Sequence, residues 1–109
     1  MDKIQQRALE TWYKPDDQRR FDRMHPTLKL AGEAGEFADL HGKHCYKPGF
    51  TATDEQYCDE LGDVLYYVSI LAFQLGVTLD ELSQMNYEKL RAREENGTGY
   101  NHGIDRACG

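Results

Sequence analysis

LAGEAGEFADL, residues 30–40, decides the reading of this chain. It has the composition of a helix, yet it sets Glu33 and Glu36 one turn apart among alanines, leucines and glycines. Carboxylates three residues apart on a helix share a face and repel each other. A second run, YCDELGDVLYY, repeats the arrangement with Glu60 and Asp63. Either the four acids face water, or a cation lies between them.

The segments on either side extend the helical pattern. Ile4, Ala8, Leu9 and Trp12 give the first helix, Asp2 to Tyr13, an apolar stripe that stops before Pro15. KPDDQRRFDR then reads as a polar connection with a short turn around Phe21. The second helix is expected to begin near Pro26, since proline suits a first helical position, and to run to Tyr46, where KPGF supplies a turn. Gly32, Gly35 and Gly42 lie inside it, each costing about 1 kcal/mol relative to alanine. Glycine on one face would allow a backbone or ligand to approach closely.

Thr53 and Gln56 form a capping box that opens the third helix, which ends at Gly76. Its inner side is expected to carry Leu61, Val64, Leu65, Val68, Leu71 and Ala72. A second capping box, Thr78 and Glu81, starts a fourth helix that runs to Arg93, and the glycine-rich tail ENGTGYNHGIDRACG reads as extended. No segment alternates with period two, so the expected fold is all-α, a four- to five-helix bundle-like domain over residues 1–109.

Composition narrows the class. The chain is 39% hydrophobic and 29% charged, ordinary for a soluble globular protein. No apolar run approaches the roughly 20 residues of a membrane span, and the N-terminus lacks the apolar core of a signal peptide. A cytoplasmic setting is expected, the host cytoplasm if the gene is a phage's. The net charge of −6 argues against a broad nucleic-acid surface. Three cysteines without framework spacing read as reduced thiols.

The second and third helices, joined by a short loop, should pack antiparallel. Glu33 and Glu36 lie about 11 residues before the turn, and Glu60 and Asp63 about 8 after it, so the two pairs reach similar heights. Four ionised carboxylates beside a buried face need cations between them. An all-oxygen set favours Mg²⁺ or Mn²⁺ over zinc. A di-iron site wants Glu-x-x-His, and no histidine follows at that spacing. His41, His44, Cys45 and Cys58 lack the second well-spaced pair of a zinc site. A cationic counterpart lies in NYEKLRAR, where Asn86, Lys89 and Arg93 fall on successive turns; Lys89 suits phosphate as a point charge and Arg93 as a fork. Lys43 and Lys47 lie just past the first acidic pair.

The order GEAGEFADL, DELGDVLYYVSILA, LGVTLDEL, NYEKLRAR resembles the MazG-like family of all-α nucleoside triphosphate pyrophosphohydrolases, across residues 28–93. The resemblance implies hydrolysis of a (deoxy)nucleoside triphosphate to monophosphate and pyrophosphate. It implies Mg²⁺ held by Glu33, Glu36, Glu60 and Asp63, with Glu33 or Glu36 as the base. Phosphates would be held by Asn86, Lys89 and Arg93; Lys43 is a further phosphate candidate by its position past the first acidic pair. It also implies a homodimer or dimer of dimers whose sites are completed across subunits. Many members have EExxE where this chain has Gly32; small phage-type members share the GE form, which points toward (d)GTP. Trp12 and Tyr67 are the candidates for nucleobase contact. The alternative is a non-catalytic helical module that binds nucleotide or protein.

Overall fold

The computed structural model describes residues 1–12 and 18–97. Of the glycine-rich tail, Glu95 ends α4 and Asn96 caps it, so that its start is helical and not extended, while residues 98–109 and 13–17 lie outside the described residues. The described residues hold four α-helices and no strand: α1 (Lys3–Trp12), α2 (Met24–Tyr46), α3 (Asp54–Gln74) and α4 (Leu79–Glu95), with a 3₁₀ turn at Gln18–Phe21. The all-α expectation holds, and the turn falls where Phe21 suggested it.

α2 starts two residues before Pro26. The Asp22 carboxylate accepts the Met24 amide at 3.0 Å, which satisfies one of the first-turn donors that lack a helical partner. The α2–α3 hairpin closes through Gly49 at φ +78°, a conformation that favours glycine, with Phe50 donating to the Lys47 carbonyl at 3.2 Å. Both capping boxes form. Thr53 Oγ1 accepts the Gln56 amide at 3.1 Å, and Thr78 Oγ1 accepts the Glu81 amide at 2.9 Å. In return, the side chains of Gln56 and Glu81 accept the amides of Thr53 and Thr78.

α3 is the central element, packed along α2 on one side and across α1 on another. The core therefore gathers where α1 crosses α3: Ala8, Leu9, Trp12 and Ile70, with Tyr66, Tyr67 and Phe73 against them. This corrects the expected inner face in part, for Ala72 is buried as expected but Leu61 and Leu65 are not. Ile70 is fully buried and Ser69 nearly so, whereas Leu61 and Leu65 are 52% and 44% exposed. Periodicity marked an apolar stripe on α3, but α1 covers a different part of the helix's circumference. Likewise in α1 Ala8, Leu9 and Trp12 are buried as the stripe suggested, but Gln5 joins them while Ile4 is exposed.

α4 turns away from α3 by 94° and contributes no buried residue. The start of the chain clamps that corner. Gln5, itself buried, donates to the Val77 carbonyl at 2.7 Å, and Asp2 accepts the Asp80 amide at 3.1 Å. Inside the elbow lies an apolar cavity of about 660 Å³ lined by Ile4, Leu65, Val68, Leu82 and Met85, with Asn86 and Lys89 at its polar edge. No single described helix is long and apolar enough to cross a membrane.

Candidate metal and nucleotide site

Antiparallel packing of α2 on α3 brings the two acidic motifs together. Glu33, Glu36 and Glu60 each offer a carboxylate oxygen, and the three oxygens lie within 4.8 Å of one another. Among the described residues this is the one group of three or more such side chains that could hold a metal ion. Glu36 is the centre of the group, acting on both Glu33 and Glu60. Asp63 adds its charge to Glu33 and Glu60 without joining the tight trio.

Two carboxyls respond to this crowding. Glu33 is pushed above the usual carboxylate range, first by its hydrogen bond to Glu36, then by burial and by the charges of Glu36 and Asp63; Lys29 opposes the shift. Glu60 rises chiefly through burial, then through Glu36, Asp63 and Asp59. Each group is losing the water that would stabilise its charge, while like charges stand beside it.

The residues fit a divalent cation. Oε2 of Glu33 and Oε2 of Glu60 are out of solvent with no hydrogen-bond partner among the described residues. Buried carboxylate oxygens normally have a donor, and here a cation would take that place. An all-carboxylate set of hard oxygens suits Mg²⁺ or Mn²⁺. Space is available as well: a Cβ built at Gly32, Gly35 or Gly62 would meet no atom within 4 Å. The close approach that these glycines suggested is thus not made by the protein's own backbone.

The cationic residues are placed elsewhere. Lys43 pairs with Asp39 at 3.1 Å on an exposed part of α2. Asn86 and Lys89 border the elbow cavity. With the 94° turn, Lys89 stands about 15 Å out along α4 and Asp63 about 16 Å back along α3, so roughly 22 Å separates their backbones. Arg93 is a turn farther out. One protomer therefore gathers the acids but not the α4 cations beside them.

The aromatic candidates also divide. Trp12 is a core residue, 4% exposed, with its ring 5.5 Å from His25 and edge-on to Tyr67 at 6.3 Å. Tyr67 lies one turn past Asp63 on the same stripe of α3. Its hydroxyl is pushed up by burial, with smaller contributions from Tyr66, Glu33 and Asp63. Sequence reasoning missed the ring cluster at the hairpin end, where His41 Nδ1 and Tyr57 Oη are 2.8 Å apart. The i, i+4 spacing of Phe37 and His41 was the available signal. Cys58 is free and exposed, but Cys45 is disulfide-bonded, against the reading of three reduced thiols.

Comparison with known proteins shows the family of the chain. The "Gene 37 protein" of Mycobacterium phage L5 is 40% identical over 83 residues, covering 73% of each chain. No solved structure matches. Residues 23–98, which contain all four acids and the whole of α2, α3 and α4, match the MazG nucleotide pyrophosphohydrolase domain. The chain belongs to the MazG nucleotide pyrophosphohydrolase family.

Proposed function

We propose that this protein hydrolyses a (deoxy)nucleoside triphosphate to the monophosphate and pyrophosphate, using Mg²⁺, with Mn²⁺ able to replace it. (d)GTP is the substrate we place first, on the resemblance of the GE form to phage-type members. The observation that carries the reading is the convergence of Glu33, Glu36 and Glu60 within 4.8 Å, two of them with an unpartnered buried oxygen.

Glu33, Glu36, Glu60 and Asp63 would hold the cation. When bound there, such an ion supplies neutralisation of phosphate charge and a lower pKa for water in the site. The protein's own part is to align and to accept a proton. Water adds across the α–β phosphoanhydride, and its proton passes to Glu33 or Glu36, whichever carboxylate has an oxygen free for it. The open space beside Gly32, Gly35 and Gly62 leaves room for the phosphates.

Asn86, Lys89 and Arg93, with Lys43, would bind the phosphates. Because α4 holds its cations roughly 22 Å from the acids of the same chain, the cations that complete a site would come from a second copy. The bare apolar side of α4 supports a homodimer or a dimer of dimers, since exposed Leu82, Met85 and Leu90 need a cover.

The first test is pyrophosphate release from eight NTPs and dNTPs with Mg²⁺, Mn²⁺ or EDTA. Metal-dependent release of pyrophosphate and monophosphate is expected. No release from any of the eight, with folded protein, would turn the reading toward a binding module.

A further inference from the structure

One or two turns beyond the carboxylates, at the hairpin end of the α2–α3 seam, lies a cluster of rings that the hydrolytic reading does not use. Tyr57 is its centre, with ring centroids 5.7 Å from Phe37, 5.8 Å from His41 and 6.1 Å from His44. His41 and His44 lie nearly parallel, 16° apart in plane, with centroids separated by 6.0 Å. His44 is engaged in the fold, its Nδ1 accepting the Ala52 amide at 3.0 Å and so tying down the loop before α3. His41 is exposed and Tyr57 half-buried, so the cluster is open to solvent at one side.

Along the helix axes the cluster lies close to the carboxylates. Tyr57 is about 4.5 Å of helix rise from Glu60, and His41 about 7.5 Å from Glu36. At the far end Trp12 is inside the core, and the Tyr67 ring already meets Trp12 and Tyr66 edge-on. The hairpin end offers exposed ring surface and a spare hydrogen-bonding position. A tyrosine hydroxyl has one donor and two acceptor positions, so in either tautomer of His41 an acceptor lone pair of Tyr57 is left over. Such an acceptor suits an N–H on a base edge, and flat rings suit stacking.

We propose that His41 and Tyr57 form the base-recognising wall of the site, His41 stacking on the nucleobase and Tyr57 Oη accepting from an N–H on its edge. The proposal rests on the triphosphate reading above. Guanine, with N1–H and N2–H₂ side by side, presents the densest set of such donors.

The test compares wild type with Tyr57→Phe, His41→Ala and Tyr67→Phe. It measures kcat/KM on the four dNTPs and Kd for their non-hydrolysable α,β-imido analogues. Tyr57→Phe keeps the ring and its packing on Phe37 while removing the hydroxyl. It is expected to lower kcat/KM for the preferred base about tenfold, the value of one lost hydrogen bond, and to change the poorest base by less than about twofold. The thermal midpoint should hold. His41→Ala should weaken binding of the preferred analogue in the same series. A wild type indifferent to base would overturn the proposal, as would a uniform loss across bases in Tyr57→Phe, or selectivity lost in Tyr67→Phe instead. Turnover with unchanged selectivity in Tyr57→Phe removes the base wall and leaves the hydrolytic reading. Base-selective analogue binding that Tyr57→Phe abolishes, without turnover, upholds the wall and removes hydrolysis. No analogue binding at all removes both.

Discussion

Glu36 stands beside both Glu33 and Glu60, and its charge pushes the carboxyls of both upward. Glu36→Gln keeps the shape and removes that charge. Turnover should fall by about 10²- to 10⁴-fold, the range for losing a positioned proton acceptor, with far-UV circular dichroism unchanged. In the absence of metal the variant should melt slightly higher than wild type, because like-charge repulsion is relieved. Asp63→Asn should reduce turnover in the same direction, and near-normal rates in both variants would remove the acidic site from the chemistry. These acids were legible in the sequence for a simple reason: three-residue spacing fixes a shared helical face, and a short hairpin fixes the register of one face against the other. Trp12 was less legible. An aromatic at the end of a short amphipathic helix serves equally as ligand platform or core, and only the crossing of α1 over Ile70 decides it.

α3 and α4 both begin with a threonine that accepts the amide three residues on, and both ends are solvent-exposed. Thr78→Ala should cost about 1 kcal/mol, read as a lower urea midpoint at unchanged slope. The effect should be largest at α4, which has no buried side chain to compensate. Helix ends were readable because capping is local chemistry. The buried face of α3 was not, because three helices meet it from different directions. Hydropathy records that Leu61 and Leu65 are apolar, but not that α2 and α1 leave them open. The α2 glycines show the same limit: composition announced space, while the structure shows that nothing in the chain itself fills it.

At the scale of the whole molecule, two measurements bear on assembly and metal. Mg²⁺ or Mn²⁺ at a hundredfold excess over its dissociation constant should stabilise the fold by about 2.7 kcal/mol, seen as a raised thermal midpoint that Glu36→Gln largely loses. If sites combine the acids of one copy with Lys89 of another, Glu36→Gln mixed with Lys89→Ala regains activity that neither has alone. The recovery should reach about a quarter of wild type, since half of randomly mixed dimers are mixed and each of these carries one intact site. No recovery after verified exchange of subunits would place both groups in a single chain.

The clamp of Asp2 and Gln5 on the α3–α4 corner gives the N-terminus a mechanical role. A swing of α4 by about 10° about its first residue, Leu79, would move Lys89 by roughly 2.6 Å, nearly a full hydrogen-bond length. The first five residues thus act as the set-screw of the arm that carries the cations. Trimming them, or loading them with a bulky tag, would detune the reach of Lys89 while leaving every carboxylate where it is.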